Sequence, residues 1–329
     1  MDVKNLQKLF PLRRGFLSSL FSSEKPYVRA VDDVSFQIRG GEILGLVGES
    51  GCGKTTLGRL LCRYENPTQG SILFKGADVT LLKTENLKQF HKRVQMIFQD
   101  PYESLDPRFT VGRAVAEPLV VQDIGTTSDE RLEMVAEMLE HFGLKPAEDF
   151  INRYPHELSG GQRQRIVVAR AMILRPELIV ADEPVSMLDV SIRSGILNLM
   201  LETRDEFKVT YAFITHDLAV ARYMSDRIAI MYLGKIVELG PKEEVIQMPS
   251  HPYAELLSSA VPNPDPTAKR SRVRASGEIP SAFEFLKGCR FHPRCPYAKD
   301  RCTESDPEFE EVRKDHYVAC HDPLERRDR

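Results

Sequence analysis

The chain has 329 residues, a formal charge of −3 and a sequence pI near 6.3. That length exceeds one average domain, so a large first unit and a smaller second one are expected, and the balanced charge supplies no global attraction to nucleic acid or an anionic bilayer. No window offers the eighteen or so consecutive apolar residues of a membrane span, and Met1 to Phe21 scatters Lys and Arg without an apolar core and cleavage site, so a soluble, unexported protein is expected.

In chain order, Val31 to Ile38 alternates as a half-buried strand, Arg39-Gly40-Gly41 makes a turn, and Glu42 to Val47 is a short, nearly all-apolar strand. A hairpin is expected there, its second strand running into a glycine loop and then a helix over Thr55 to Tyr64. Gly70 to Phe74 and Arg93 to Phe98 read as further strands, the latter ending at Gln99-Asp100-Pro101. Ser128 can cap a helix with Leu132, Val135, Leu139 and Phe142 on one face, stopped by Gly143, which suggests a helical insertion. Beyond Ser159, a helix over Gln162 to Ile173 leads to strands Leu178 to Ala181 and Thr210 to Thr215. Such alternation predicts an α/β fold with a mostly parallel sheet covered on both faces and ligands at the carboxyl ends of its strands. After Gly240 the pattern weakens, and Val261 to Ser281, with four prolines and Lys269, Arg270, Arg272 and Arg274, reads as a solvated linker rather than a nucleic-acid contact.

Gly48-Glu49-Ser50-Gly51-Cys52-Gly53-Lys54-Thr55 fits G-x-x-x-x-G-K-[ST], between a strand and a helix as that motif requires. Its glycines let backbone N–H groups converge on phosphate oxygens, Lys54 spans the outer phosphates, the Thr55 hydroxyl ligates Mg²⁺, and Thr56 follows in the first helical turn. ATP and Mg²⁺ are the expected cofactors. Cys52 occupies a variable position and needs no redox role. Leu178-Ile179-Val180-Ala181-Asp182-Glu183 is an apolar strand ending in two acids: Asp182 can hold Mg²⁺ through water, and Glu183 can polarise a water for in-line attack on the γ-phosphorus. A second helix-start anion site is expected at Ser159, Gly160, Gly161 and Gln162, ahead of Arg163, Arg165 and Arg170.

Leu158 to Gln162 reads LSGGQ and stands between these two motifs, in the manner of the ABC ATPases, which the chain resembles. The resemblance implies a P-loop ABC-type core with a helical subdomain, and a head-to-tail pair in which the signature of one subunit completes the ATP site of the other. It further implies that Gln99 is the Q-loop glutamine sensing Mg²⁺ and the attacking water, that Asp189 in Ser186-Met187-Leu188-Asp189 crosses the dimer interface, and that His216 is the switch histidine. Met187 stands where the family often has alanine. Tyr27 is placed to stack on adenine like the family's upstream aromatic, the alternative being a core or edge tyrosine.

Tyr154-Pro155-His156-Glu157, Pro184-Val185-Ser186 and His251-Pro252-Tyr253 resemble the oligopeptide and dipeptide permease branch of import ATPases. So does the tail, Gly288-Cys289-Arg290-Phe291-His292-Pro293-Arg294-Cys295-Pro296 with Cys302 and Val318-Ala319-Cys320-His321. The Gln99-Asp100-Pro101-Tyr102 and Ser104-Leu105-Asp106-Pro107 stretches resemble the second of the two ATPase subunits in such systems. On this basis residues 1–26 form an N-terminal extension, 27–250 the nucleotide-binding domain with its helical subdomain at about 101–165, and 251–329 a small Cys-rich C-terminal extension. The implied partners are a second ATPase subunit in a heterodimer, two transmembrane permeases docked near Gln99 to Glu117, and an extracytoplasmic solute-binding protein, which places the chain at the cytoplasmic face of the membrane. Peptides are the expected solute, with nickel or oligosaccharide as alternatives, and a non-transport ABC ATPase as the competing class. Four cysteines in a loop-rich segment can supply four thiolates to one centre, and their spacing is not that of a zinc ribbon. The resemblance favours a [4Fe–4S] cluster on Cys289, Cys295, Cys302 and Cys320, with zinc as the alternative through His292 and His321.

Overall fold

A computed structural model describes residues 1–11, 27–260 and 286–324. The proline-rich basic segment with Lys269, Arg270, Arg272 and Arg274 lies outside the described residues. The chain enters a sheet at once: β1 (Asp2–Pro11) lies between β2 (Tyr27–Gln37) and β4 (Gln69–Phe74), with β5 (Ala77–Asp78) at the edge and all neighbours antiparallel. Residues 1–11 therefore pair with the strands on either side of the phosphate loop. The sequence hides β1 because its register against β2 shifts three times, which leaves Val3 and Leu6 as its only buried residues and destroys the period of two.

Strand β3 (Ile43–Val47) is not the hairpin partner of β2. After the turn at residues 39–41 the chain crosses into a second sheet of eight strands, ordered β11-β12-β10-β9-β3-β8-β7-β6. Every residue of β3 is buried, as are all those of β7 (Leu178–Asp182), β8 (Thr210–Thr215) and β9 (Arg227–Tyr232). A strand apolar on both faces can only sit in a sheet covered on both faces, whereas a hairpin with one wet face would leave half of β3 exposed. From β6 (Val94–Ile97) through β7, β8 and β3 to β9 the pairing is parallel, as the alternating pattern predicts. Strands β10 (Lys235–Pro241), β12 (His316–Ala319) and β11 (Phe309–Arg313) then continue it antiparallel.

Helix α1 (Lys54–Leu61) follows the phosphate loop and α2 (Thr84–Arg93) leads into β6. The expected helical insertion is α3 (Pro101–Ser104), α4 (Val111–Val121), α5 (Ser128–His141) and α6 (Glu148–Ile151), packed on α7 (Gly160–Met172). Thr127 rather than Ser128 caps α5, accepting from the Glu130 N–H. Gly143, with φ 73°, ends the helix by donating to the Glu140 carbonyl at 2.9 Å. Val135, Leu139 and Phe142 are fully buried, on the face that the periodicity predicts. The remaining helices are α8 (Val190–Phe207), α9 (Leu218–Met224), α10 (Lys242–Gln247), α11 (Pro252–Ala260) and α12 (Arg301–Glu304).

The C-terminal residues do not stand apart as a small Cys-rich unit with its own core. Strand β12 pairs with β10 through Glu238 opposite Val318 and Leu239 opposite Tyr317, and Phe291 packs in one cluster with Val47, Tyr232 and Tyr253. Docking is specified by a buried ion pair: His316 Nε2 lies 2.7 Å from Glu238 Oε1, both side chains wholly inaccessible. Glu238 also accepts the N–H groups of Ser250 and His251, so the carboxylate is not left unpaired.

Burial raises the Glu238 carboxyl above its usual range; burial lowers the His316 imidazole, but its bonds to Glu238 and Glu244 outweigh this and raise it overall. A raised histidine contributes stability that is complete below about pH 6.5 and is lost as pH climbs through its folded value. His316→Ala is expected to cost about 3 kcal/mol by chemical denaturation, because it leaves a buried carboxylate without its cation. His316→Gln should erase the corresponding loss of stability as pH rises.

Candidate active site

The loop between β3 and α1 is forced into shape by its neighbours. A Cβ on Gly48 would lie 2.1 Å from the Met231 carbonyl oxygen, and one on Gly53 would lie 2.0 Å from that of Ala30. Gly53 also has φ 107° and caps α1 without a side-chain bond, so the first N–H groups of the helix stay available to an anion. Lys54 is buried and its Nζ donates to the carbonyls of Gly48 at 2.8 Å and Glu49 at 3.0 Å, which arches the chain around the ammonium.

Glu49, Ser50, Gly51, Cys52, Gly53, Lys54, Thr55 and Thr56 line one side of a cavity of about 830 Å³, with Gln99, Glu183 and His216 opposite and Tyr27 at the rim. Glu183 has φ 46°, an uncommon conformation for a residue with a side chain. Its N–H bonds the Ile214 carbonyl at 2.9 Å, and its own carbonyl accepts from the Ser186 N–H and hydroxyl. This turn at the end of β7 aims the carboxylate between two others: His216 Nδ1 lies 3.0 Å from Oε1, and Gln99 Nε2 lies 3.4 Å from Oε2. Three residues separated by up to 117 positions thus meet at the carboxyl ends of β6, β7 and β8. Asp182, behind them, is buried. Burial pushes its carboxyl up, a hydrogen bond from Thr55 opposes this, and its Oδ1 has no protein partner among the described residues. A buried carboxylate oxygen beside the Thr55 hydroxyl suits a hard cation such as Mg²⁺.

Ser159, Gly160, Gly161, Gln162 and Asp189 do not line this cavity. Ser159 caps α7 in a reciprocal box, its Oγ accepting from Gln162 N and the Gln162 side chain accepting from Ser159 N. Asp189 stands at the start of α8, and the next exposed apolar residues are Met187 and Val190. Tyr27 is 46% exposed at the first position of β2, so it is an edge residue open to a ligand.

The four C-terminal cysteines are half-buried and none of them forms a disulfide. Burial and the nearby charges of Cys320, Cys302 and Cys295 push Cys289 up to about 12. Among the described residues no three His, Cys, Asp or Glu side chains converge on a point as ligands of one metal ion. His292 Nδ1 is engaged with the Cys289 carbonyl and His321 Nε2 with that of Ser305. One ring nitrogen of each imidazole thus serves a local turn. Sequence reasoning missed Arg290 and Leu286, which line the cavity, and Arg294 and Tyr253, which bond Glu49. They lie more than 200 positions from the phosphate loop, and no spacing rule joins them to it.

A phosphate loop with its lysine, facing two acids at the end of a parallel strand, fits a nucleoside triphosphatase. Two family models match the chain: "ABC transporter" over residues 31–186 and "Oligopeptide/dipeptide transporter, C-terminal region" over 237–302. The chain is 50% identical over 324 residues to the oligopeptide transport ATP-binding protein AppF of Bacillus subtilis, covering 98% of this chain and 96% of the relative. It is 46% identical to a probable peptide ABC transporter ATP-binding protein, y4tS, of Sinorhizobium fredii, covering 98% of this chain and 89% of that one. Among solved structures, the dimeric post-hydrolysis ATP-binding cassette MJ0796 bound to ADP and Pi superposes with a TM-score of 0.63 at 28% identity, over 73% of this chain and 98% of that one. The chain belongs to the ABC transporter ATP-binding proteins of the oligopeptide/dipeptide family, and it is an ATPase. Among the described residues no helix is long and apolar enough to cross a membrane.

Burial raises both the Cys52 and Cys62 thiols, so neither forms a nucleophilic thiolate in the native fold. At about pH 8, iodoacetamide should label them at least about tenfold more slowly in the folded chain than in denaturant. Peptide mass spectrometry after timed quenching reads the difference.

Proposed function

We propose that this chain is one of two ATP-hydrolysing subunits driving a peptide importer at the cytoplasmic face of the membrane, paired with a second, non-identical ATPase subunit. Two permeases and an extracytoplasmic solute-binding protein complete the assembly. The observation that carries the reading is the meeting of Gln99, Glu183 and His216 across one cavity from the loop of Lys54 and Thr55. In this reading Lys54 and the loop N–H groups bind the phosphates, Thr55 and Asp182 hold Mg²⁺ with Gln99 beside it, and Tyr27 stacks on adenine. Glu183 takes the proton of the attacking water, and His216 orients that carboxylate and the γ-phosphate.

Ser159 to Gln162 and Asp189 serve the partner's ATP from across the interface. That they do not line this chain's own cavity and that Met187 and Val190 beside Asp189 are exposed support the arrangement. ATP then closes the pair and hydrolysis reopens it. Peptide as the solute is supported by the relatives at 46–50% identity, which are oligopeptide or peptide transport ATP-binding proteins.

Cys289, Cys295, Cys302 and Cys320 are proposed to hold a [4Fe–4S] cluster, supported by four thiols outside any disulfide, by the bond from the Cys289 N–H to the Cys302 carbonyl at 2.9 Å, and by the packing of Cys289 and Cys295 against one apolar cluster. Its contribution is structural, as a link between loops.

Glu183→Gln in the assembled complex should slow ATP turnover by about 10²–10⁴-fold while leaving ATP binding intact. It should also hold the two ATPase subunits together in MgATP, seen by size-exclusion chromatography. Normal turnover in that variant removes the base assignment, and peptide uptake unchanged by Lys54→Ala removes the transport reading. For the tail, protein purified without oxygen should show absorption near 400 nm with about four iron and four sulfide per chain. Iron below one per chain removes the cluster.

A further inference from the structure

The phosphate loop is gripped by residues that lie outside the stretch matched by the ABC transporter model. Arg294 sits in the turn between Cys289 and Cys295, and its side chain is only 8% exposed. Its Nη1 and Nη2 donate to Oε2 and Oε1 of Glu49 at 2.8 and 3.1 Å, two parallel charge-assisted bonds to one carboxylate. The guanidinium lies 5.8 Å from the ring centroids of both Tyr232 and Phe291, which with Tyr253 form an aromatic cluster beneath it. Glu49 is the second residue of the phosphate loop. Its N–H donates to Tyr253 Oη at 3.0 Å, and its carbonyl accepts from Lys54 Nζ. Its carboxylate, N–H and carbonyl are therefore all held, the first two by the C-terminal region.

Arg290 holds the other flank. It pairs with Asp32 and donates to the Leu233 carbonyl. The next residue, Gly234, donates to the Cys52 carbonyl at 2.8 Å and accepts from the Asp32 N–H at 2.9 Å.

A carboxylate at Glu49 is an electrostatic liability, because the same cavity must take a triphosphate carrying several negative charges. A neighbouring anion raises the cost of every phosphate charge in a partly desolvated site. A bidentate arginine cancels that charge and fixes where it points. We propose that Arg294 is a positioning residue of the ATP site, neutralising and orienting Glu49 so that the C-terminal region sets the nucleotide affinity of its own subunit. The proposal rests on the reading of residues 48–55 as the triphosphate site. Docking of the tail by itself would not require the guanidinium to be spent on the loop, since β12 and the His316–Glu238 pair already attach it.

The test is MgATP binding to the full-length chain by calorimetric titration. Arg294→Met, which keeps the packing volume and removes the charge, should weaken binding about tenfold. Adding Glu49→Gln to Arg294→Met should restore most of that loss, because the unpaired carboxylate is then gone. A purely structural arginine predicts no such rescue. Glu49→Asp, which shortens the carboxylate and breaks the two-bond pair without touching the aromatic cluster, should weaken binding in the same direction and serves if Arg294→Met does not fold. Binding within twofold of the unaltered chain in Arg294→Met or in Glu49→Asp overturns the proposal, as does a double variant no better than Arg294→Met. Lys54→Met is the control: it should abolish binding, and unaltered binding there removes the ATP-site reading and the proposal with it, whereas loss in Lys54→Met with none in Arg294→Met removes the proposal alone.

Discussion

Backbone must approach backbone at the phosphate loop, and much of the architecture follows from that requirement. Gly48 and Gly53 sit where a single methyl group would collide with the carbonyls of Met231 and Ala30, one from each sheet. The loop is thus the joint at which the antiparallel sheet of β1 and β2 meets the eight-stranded sheet. Hydrogen bonds from Asp32 to Gly234 and from Gly234 to Cys52 pass directly through that joint. Wedging the loop between two sheets fixes its backbone without a ligand to organise it, so little ordering entropy remains to be lost on nucleotide binding.

The opposite wall depends on a different constraint. Glu183 adopts a left-handed backbone at the end of a fully buried strand, which a residue with a side chain does only at a cost of about 1–3 kcal/mol. The cost is offset by bonds from Ser186 and to Ile214, and it swings the carboxylate to the position where Gln99 and His216 reach it. Parallel strands β6, β7 and β8 bring their carboxyl ends to one line, so residues distant in sequence need no long side chains to meet.

The C-terminal region is part of the same construction. It closes the edge of the large sheet, buries Phe291 against β9, and carries Arg290 to the wall of the cavity and Arg294 to Glu49 of the loop. Glu238 and His316 show how such a region is attached when its own apolar content is small: two ionisable groups are buried together, each satisfied by several bonds, so that specificity of docking comes from matched polar partners.

Most elements of the candidate nucleotide site were legible in the sequence because they are written in local order. A glycine loop between an apolar strand and a helix, two acids after a four-residue apolar run, and a serine that caps a helix with a glutamine three positions on are each short-range signals. Strand β1 was illegible because three register shifts erase its alternation, and the supposed hairpin of β2 and β3 failed because a turn fixes a change of direction without fixing the sheet in which the next strand lies. The cysteines announced a cluster of thiols, but spacing along the chain says nothing of the angles and distances that a metal requires. By itself the sequence determined which residues can bind phosphate, hold a cation and take a proton, since those properties reside in side-chain chemistry and in the helix and strand termini beside them. Only the tertiary structure decided that Arg294 and Tyr253 close on the phosphate loop and Arg290 on Asp32 beside it, because contacts across more than 200 residues are set by how two sheets pack and by no pattern within either segment.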